Sequence, residues 1–379
     1  MVIQSRMSTI TKSPKKVARA AYKIAKSKLP QYAHQYSPKK FTQPQLFVCL
    51  ILKIFYKTDY RGITAILEDS SDIRKVFNLK TVPHFTTLQK ASKKLLRWPV
   101  ADKLLKAIVD LVTKNSVIDL AAIDSTGLET GYVSRYFARR RAKGGKTDHV
   151  VACRRWAKLS IVCDCKNHLI LSAIMTRGPS PDVNQFRRTL KPALQKVKIK
   201  KILADAGYDS HGNHEYAREE KNIESIIPAK HGRPSVYNIP PKSKYRKLMR
   251  TDFDKETYGQ RWQVETVFSM IKRNFGSAVR ARHYWSQCRE MMLMVLTHNL
   301  AVILLAKELF YRAFWVSFFP VDHGFGSSQV KGCQLLRSDK VALASHLATD
   351  LVGICSICGP ILLIHQFNAI GIELVFIID

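Results

Sequence analysis

Between residues 258 and 272 the chain carries a phenol, a guanidinium, a carboxylate and an ammonium: Tyr258, Arg261, Glu265 and Lys272. On one continuous helix, turning about 100° per residue, Arg261 falls roughly 60° behind Tyr258, Glu265 about 20° and Lys272 about 40°. All four then share a stripe about 21 Å long, at about 1.5 Å per residue, which matches the span of several nucleotides. Arg grips a phosphate with paired N–H donors, and Lys adds a point charge. Taken singly, each residue fits a solvated helix face. Taken together, beside further carboxylates, they fit a site that handles phosphate.

The further carboxylates are Asp124 and Asp205. Each follows an apolar run of strand type, Val117–Ile123 and Ile199–Ala204, and each is followed by small residues, Ser125-Thr126-Gly127 and Ala206-Gly207. Strand ends of an α/β sheet form the crevice where ligands bind. A lone Asp there more often caps a turn; two of them, with room for a substrate backbone to approach, favour a site. Asp124, Asp205 and Glu265 make an oxygen-only donor set, suited to Mg2+ or Mn2+ rather than zinc. Two such ions, about 3.5–4 Å apart, activate an attacking oxygen and stabilise a leaving oxygen of a phosphodiester. The catalytic and metal-binding candidates are therefore Asp124, Asp205 and Glu265, with Arg261 and Lys272 balancing the charge.

These residues need elements to position them. QPQLFVCLILKIFY (43–56) predicts a buried helix, Gly62–Glu68 a second, and a hydroxyl near Thr86–Thr87 a capped third. Residues 41–115 thus read as a helical domain, preceded by a flexible basic arm over 1–40. Strands are expected at Val117–Ile123, Leu159–Cys163, Leu169–Met175, Ile199–Ala204 and Ser225–Pro228. A turn is expected at 164–167, with helices at Asn184–Val197 and His211–Glu220. That alternation predicts a mixed α/β core over 116–314. A basic connector covers 231–257, and long helices are expected over 257–274 and 288–312. Residues 315–379 hold only three Lys/Arg against five Asp/Glu. This tail reads as an atypical extension, either a read-through or shifted-frame segment or an added interaction module.

Charge narrows the partner. The 379 residues carry 62 Lys+Arg against 29 Asp+Glu, a formal net charge of +33. Self-repulsion on that scale calls for a polyanion, and phosphate neutralisation with counterion release makes nucleic acid the first candidate, ahead of an anionic membrane surface. Eight Cys without a secretory signal read as reduced thiols of a cytoplasmic, nucleoid-associated protein. A four-thiolate zinc site from Cys163, Cys165, Cys355 and Cys358 is disfavoured by their separation. In RYFARRRAKGGK (135–146), Arg139, Arg140 and Arg141 sit among aromatics and glycines, as expected of a DNA-contacting loop. Trp262 could stack on a base or pack against the core.

The spacing Tyr258-x2-Arg261-x3-Glu265-x6-Lys272 resembles the signature of one large group of insertion-sequence DDE transposases. AAIDSTGLE around Asp124 and LADAGYDS around Asp205 look like that family's first and second acidic motifs. Arg155-Trp156-Ala157-Lys158 and TVPHFTTLQK extend the resemblance, which covers about residues 40–314. It implies a ribonuclease H-like catalytic core preceded by a helical DNA-binding domain, with Asp124 on the first strand, Asp205 after the fourth, and Glu265 on a later helix. It also implies cleavage of double-stranded DNA at terminal inverted repeats by metal-activated water, followed by attack of the freed 3′-hydroxyl on target DNA. Tyr258, Arg261 and Lys272 would hold terminal phosphates, Arg155 and Lys158 would add DNA contacts, and a homodimer would synapse two ends. Two alternatives stay open: a metal-dependent nuclease without strand transfer, and a catalytically inactive DNA-binding derivative.

Overall fold

A computed structural model describes residues 10–113, 116–130, 156–178, 180–230 and 243–318, the last ten by backbone alone. Residues 14–28 depart from the flexible arm expected over 1–40. Ser13 caps α1 (Pro14–Lys28), whose Val17, Ala18, Ala21, Ile24 and Ala25 are buried. The many lysines mask this stripe in composition, yet at helical spacing they fall on the opposite face. In α2 (Gln43–Phe55), Thr42 and Gln45 exchange hydrogen bonds as a capping box, so the helix starts where the apolar run does. The short helices α3 (Tyr60–Asp69), α4 (Ser71–Val76) and α5 (Phe85–Leu95) follow, then α6 (Trp98–Thr113). α1 packs on α2 and α6, and α2 on α5.

The sheet places the acidic residues. β1 (Val117–Thr130) is 14 residues long, where the sequence predicts only Val117–Ile123. It lies at the centre of the order β3-β2-β1-β4-β5, antiparallel to β2 (Ala157–Asp164) and parallel to β4 (Lys198–Ala204). β3 (Ile170–Arg177) closes one edge by the expected hairpin, whose turn is tied by Asp164 to the Lys166 amide and the Asn167 side chain. α7 (Phe186–Leu194) leads from β3 to β4, and α8 (His211–Glu215) leads to the other edge strand, β5 (Glu224–Ile226). The mixed α/β core expected from the alternation is present.

After α9 (Lys244–Thr251) the helix expected over 257–274 is interrupted: a single turn, α10 (Lys255–Gly259), precedes α11 (Trp262–Phe275). Gln260, Arg261, Gln263 and Val264 bond to carbonyls three residues back, not four. Three-residue pitch brings residues i and i+3 into eclipse, so Arg261 sits under Tyr258 instead of 60° behind it. β6 (Ala278–Val279) pairs with the far end of β1. α12 (Tyr284–Phe318) follows, and its portion Tyr284–Glu308 is long and apolar enough to cross a membrane; 72% of its apolar window is buried in the molecule, as in a core helix. Residues Met1–Leu305 form one compact unit, with Ala306–Asp379 a second. Within the first, Lys57 donates to the Arg273 carbonyl and Arg280 donates to that of Lys57, tying the end of α2 to the end of α11.

Candidate active site

Ile123 pairs with Ala204 as the last step of the β1/β4 ladder. The next residue on each strand is Asp124 and Asp205, so the two carboxylates leave adjacent strands side by side, about 4.8 Å apart in backbone spacing. Asp205 ends its strand as predicted. Asp124 does not: β1 runs on along β2, with Asp124 opposite Ile161. It ends only the pairing with β4, and this opens the crevice. Asp124 accepts from the Ser125 amide at 2.7 Å and Asp205 from the Ala206 amide at 2.6 Å. Burial pushes the Asp124 carboxyl up to about 6, with Asp205 and Asp182 adding repulsion and the Ser125 amide and Arg261 opposing it.

Asp182 is the member that sequence reasoning missed. It opens a 3-10 turn after Pro181, and an Asp in that place reads as a cap. Gly207 lies between it and Asp205: a methyl group built there would sit 3.8 Å from Asp205 Oδ2 and 4.0 Å from Asp182 Oδ2. Successive strand residues face opposite ways, so Ser125 and Lys158 emerge on the side away from Asp124. There Ser125 Oγ donates to Asp182 at 2.5 Å, and the Lys158 ammonium meets Asp182 at 2.8 Å and the Ser180 carbonyl at 2.6 Å. Lys158, expected to contact DNA, is 7% exposed and fully engaged below the site. Tyr208 is buried beside this cluster, and burial raises its phenol.

On the other side, α11 supplies the wall of an open cleft of about 690 Å³ lined by Asp124, Ser125, Thr126, Glu265, Phe268, Ser269, Lys272 and Arg273. Arg261 lies between the two carboxylates, 3.5 Å from Asp124 Oδ2 and 2.6 Å from Glu265 Oε1. Its guanidinium is 5.9 Å from the centroid of the Tyr258 ring. Lys272 is two turns beyond Glu265, about 10.5 Å along the axis. Of the four-residue stripe, only Glu265 and Lys272 belong to one regular helix; the 3-10 junction is what draws Tyr258 and Arg261 to the same place. Arg139, Arg140, Arg141 and Arg155 lie outside the described residues.

Behind α11, Gln263 bonds His168 at 2.6 Å, and His298 of α12 bonds the His168 carbonyl at 3.0 Å. Trp156 is wedged against Gly127 and Gly178, where an added methyl would fall 3.0 Å and 2.1 Å from the ring. Cys163 and Cys165 are buried free thiols, both pushed up by burial and so poor thiolate ligands, while Cys355 and Cys358 lie outside the described residues.

The carboxylates fit a hard divalent cation by donor chemistry: Asp124 and Asp205 share one strand end, with no nitrogen or sulfur donor in the set. Glu265 is held on Arg261, and among the described residues no three acidic, His or Cys side chains close on a common point.

Residues 115–300 match the family model of the transposase DDE domain. The matched span includes the whole sheet, Asp124, Asp182, Asp205 and the entire α11 segment with Glu265 and Lys272. The match supports a transposase-type function, and the central mixed sheet is consistent with the ribonuclease H-like architecture of a DDE domain. With that function go DNA as the partner and a divalent metal as the usual cofactor of such domains.

Proposed function

We propose that this chain cleaves DNA at the ends of an insertion sequence and transfers the freed 3′-hydroxyl ends to target DNA. The observation that carries the reading is the juxtaposition of Asp124 and Asp205 one step beyond the last β1/β4 pair, in a segment similar to the transposase DDE domain. Asp124, Asp205 and Glu265 would hold Mg2+ or Mn2+, as two ions. Bound there, the cations supply charge neutralisation and activation of oxygen for phosphodiester exchange. Arg261 offers paired N–H donors to a phosphate, Lys272 a point charge further along the groove, and Tyr258 orients Arg261 from above. The helices over 41–115 carry the recognition of the terminal repeats, and a homodimer brings two ends together.

Glu265→Gln keeps size and hydrogen bonding but removes the charge. Cleavage of a labelled terminal-repeat duplex should fall by at least about a thousandfold, the scale of losing a main electrostatic element of a site, with duplex affinity held within about threefold. Full cleavage by the variant would overturn the assignment. Pre-cut ends mixed with target DNA separate strand transfer from hydrolysis alone, because only transfer yields joined products.

A further inference from the structure

We propose that Trp285 and the guanidinium groups around Tyr284 form a stacking platform for an unpaired nucleobase of the DNA strand that passes through the Asp124–Glu265 cleft. The inference rests on the reading that DNA is the substrate. Trp285 exposes 71% of its surface, more than any other Trp among the described residues. Large aromatics ordinarily gain by burial, so an indole left in water on a well-packed element marks a binding surface.

The platform is rigid. Tyr284 donates its hydroxyl to the Met175 carbonyl at 3.3 Å, and the Arg177 guanidinium lies 4.3 Å from the Tyr284 ring centroid. The Trp285 ring is 5.1 Å from that of Tyr284, tilted by 59°. One turn further on, Met291 to Leu296 of α12 are buried in the core, so the first turn is anchored from below. Little side-chain freedom is left to lose on binding.

Charge selects the partner. The ionic groups acting most strongly on Tyr284 are Arg177 and Arg188. Arg282 and His283 are exposed just before Trp285, and Arg289 lies one turn beyond it, donating to Ser286 at 2.8 Å. An indole flanked by guanidiniums suits a base with its phosphates, since stacking needs only a π-face and the cations track the backbone. A second copy of this chain is disfavoured as occupant, because each copy brings a net charge of +33 to a cationic patch.

Position ties the platform to the cleft. Met175 pairs with Leu159, and Leu159 with Thr126, which lines the cleft. Two strand spacings, about 10 Å, therefore separate the Tyr284 anchor from the cleft wall. That is about three nucleotides at 3.4 Å each.

The test compares the full chain with Trp285→Ala and Trp285→Phe, in metal-free buffer so that no cleavage intervenes. Three labelled probes are used: oligothymidine, a blunt duplex, and the same duplex with a short single-stranded 3′ tail. Trp285→Ala should weaken oligothymidine and tailed duplex about tenfold and leave the blunt duplex within about twofold. Trp285→Phe should restore most of the loss. Quenching of tryptophan fluorescence by oligothymidine should diminish in both variants. Unchanged affinity for all three probes would overturn the proposal, as would equal loss on the blunt duplex. A change of oligomeric state in Trp285→Ala with DNA affinities intact would assign the patch to a protein interface instead. Tail-selective binding through Trp285 in a chain that never cleaves DNA would sustain the platform and sink the proposed activity.

Discussion

Burial penalises the charge of Asp124, and the neighbouring carboxylates Asp205 and Asp182 add repulsion, so its proton is held to about pH 6 against an ordinary value of 3.8. The folded chain therefore binds a proton in a window where the unfolded chain has released it. The resulting stability is fully present below about pH 4 and is lost as pH rises through about 6. Asp124→Asn, which cannot ionise, should melt higher than the parent chain at pH 8 in chelator, by an amount on the order of a few kcal/mol. The gap should close below about pH 4; a gap independent of pH in thermal melting would refute the account. Asp182 shows the limit of reading residues from sequence. Nothing local separates a capping Asp from one that binds Ser125 and Lys158, because both partners come from β1 and β2 across the fold.

At the scale of elements, Glu265 depends on how α11 is seated. Asn299 of α12 accepts from the Ile170 amide at 2.9 Å and donates to the Ile170 carbonyl at 2.8 Å, acting as a substitute strand at the start of edge strand β3. Beside it, His298 and His168 carry the polar connection on to Gln263 in α11. Asn299→Leu leaves a buried N–H and C=O without partners, at roughly 1–3 kcal/mol each. Urea unfolding should show a loss of about 2–5 kcal/mol, and cleavage should fall more than DNA affinity. A variant as stable as the parent would argue against this role. The β2–β3 hairpin and the strand ending at Asp205 were legible because apolar runs there meet clear turn residues. The second half of β1 was not: Asp-Ser-Thr-Gly-Leu-Glu-Thr reads as a loop, and becomes a strand because β2 and then β6 pair with it. Helix α1 was hidden by lysines that cover its apolar stripe. The junction at Gln260–Arg261 was read as regular helix, since 3-10 and α pitch differ too little to mark a pattern four residues long.

For the whole molecule, the net charge of +33 makes DNA affinity a salt-dependent quantity. With six to ten phosphate contacts, affinity should drop about 10³–10⁵-fold between about 50 and 200 mM salt. A log–log slope near zero in anisotropy titrations would contradict phosphate-driven binding. The helices over 41–115 and the α/β core pack as one unit through contacts such as Lys57 with Arg273, so residues far apart in sequence meet around α11. Composition, apolar runs and the spacing of Tyr258, Arg261, Glu265 and Lys272 by themselves determined the partner class, the mixed α/β class and the residues around which a site would form, because charge, periodicity and side-chain chemistry are local properties. Tertiary structure alone decided that Asp124 and Asp205 stand in register, that Asp182 joins them, that Arg261 bridges Asp124 to Glu265, and that Lys158 lies beneath the site. Each of those depends on strand pairing and helix seating, which bring together residues with no sequence relation, and no local pattern encodes such a meeting.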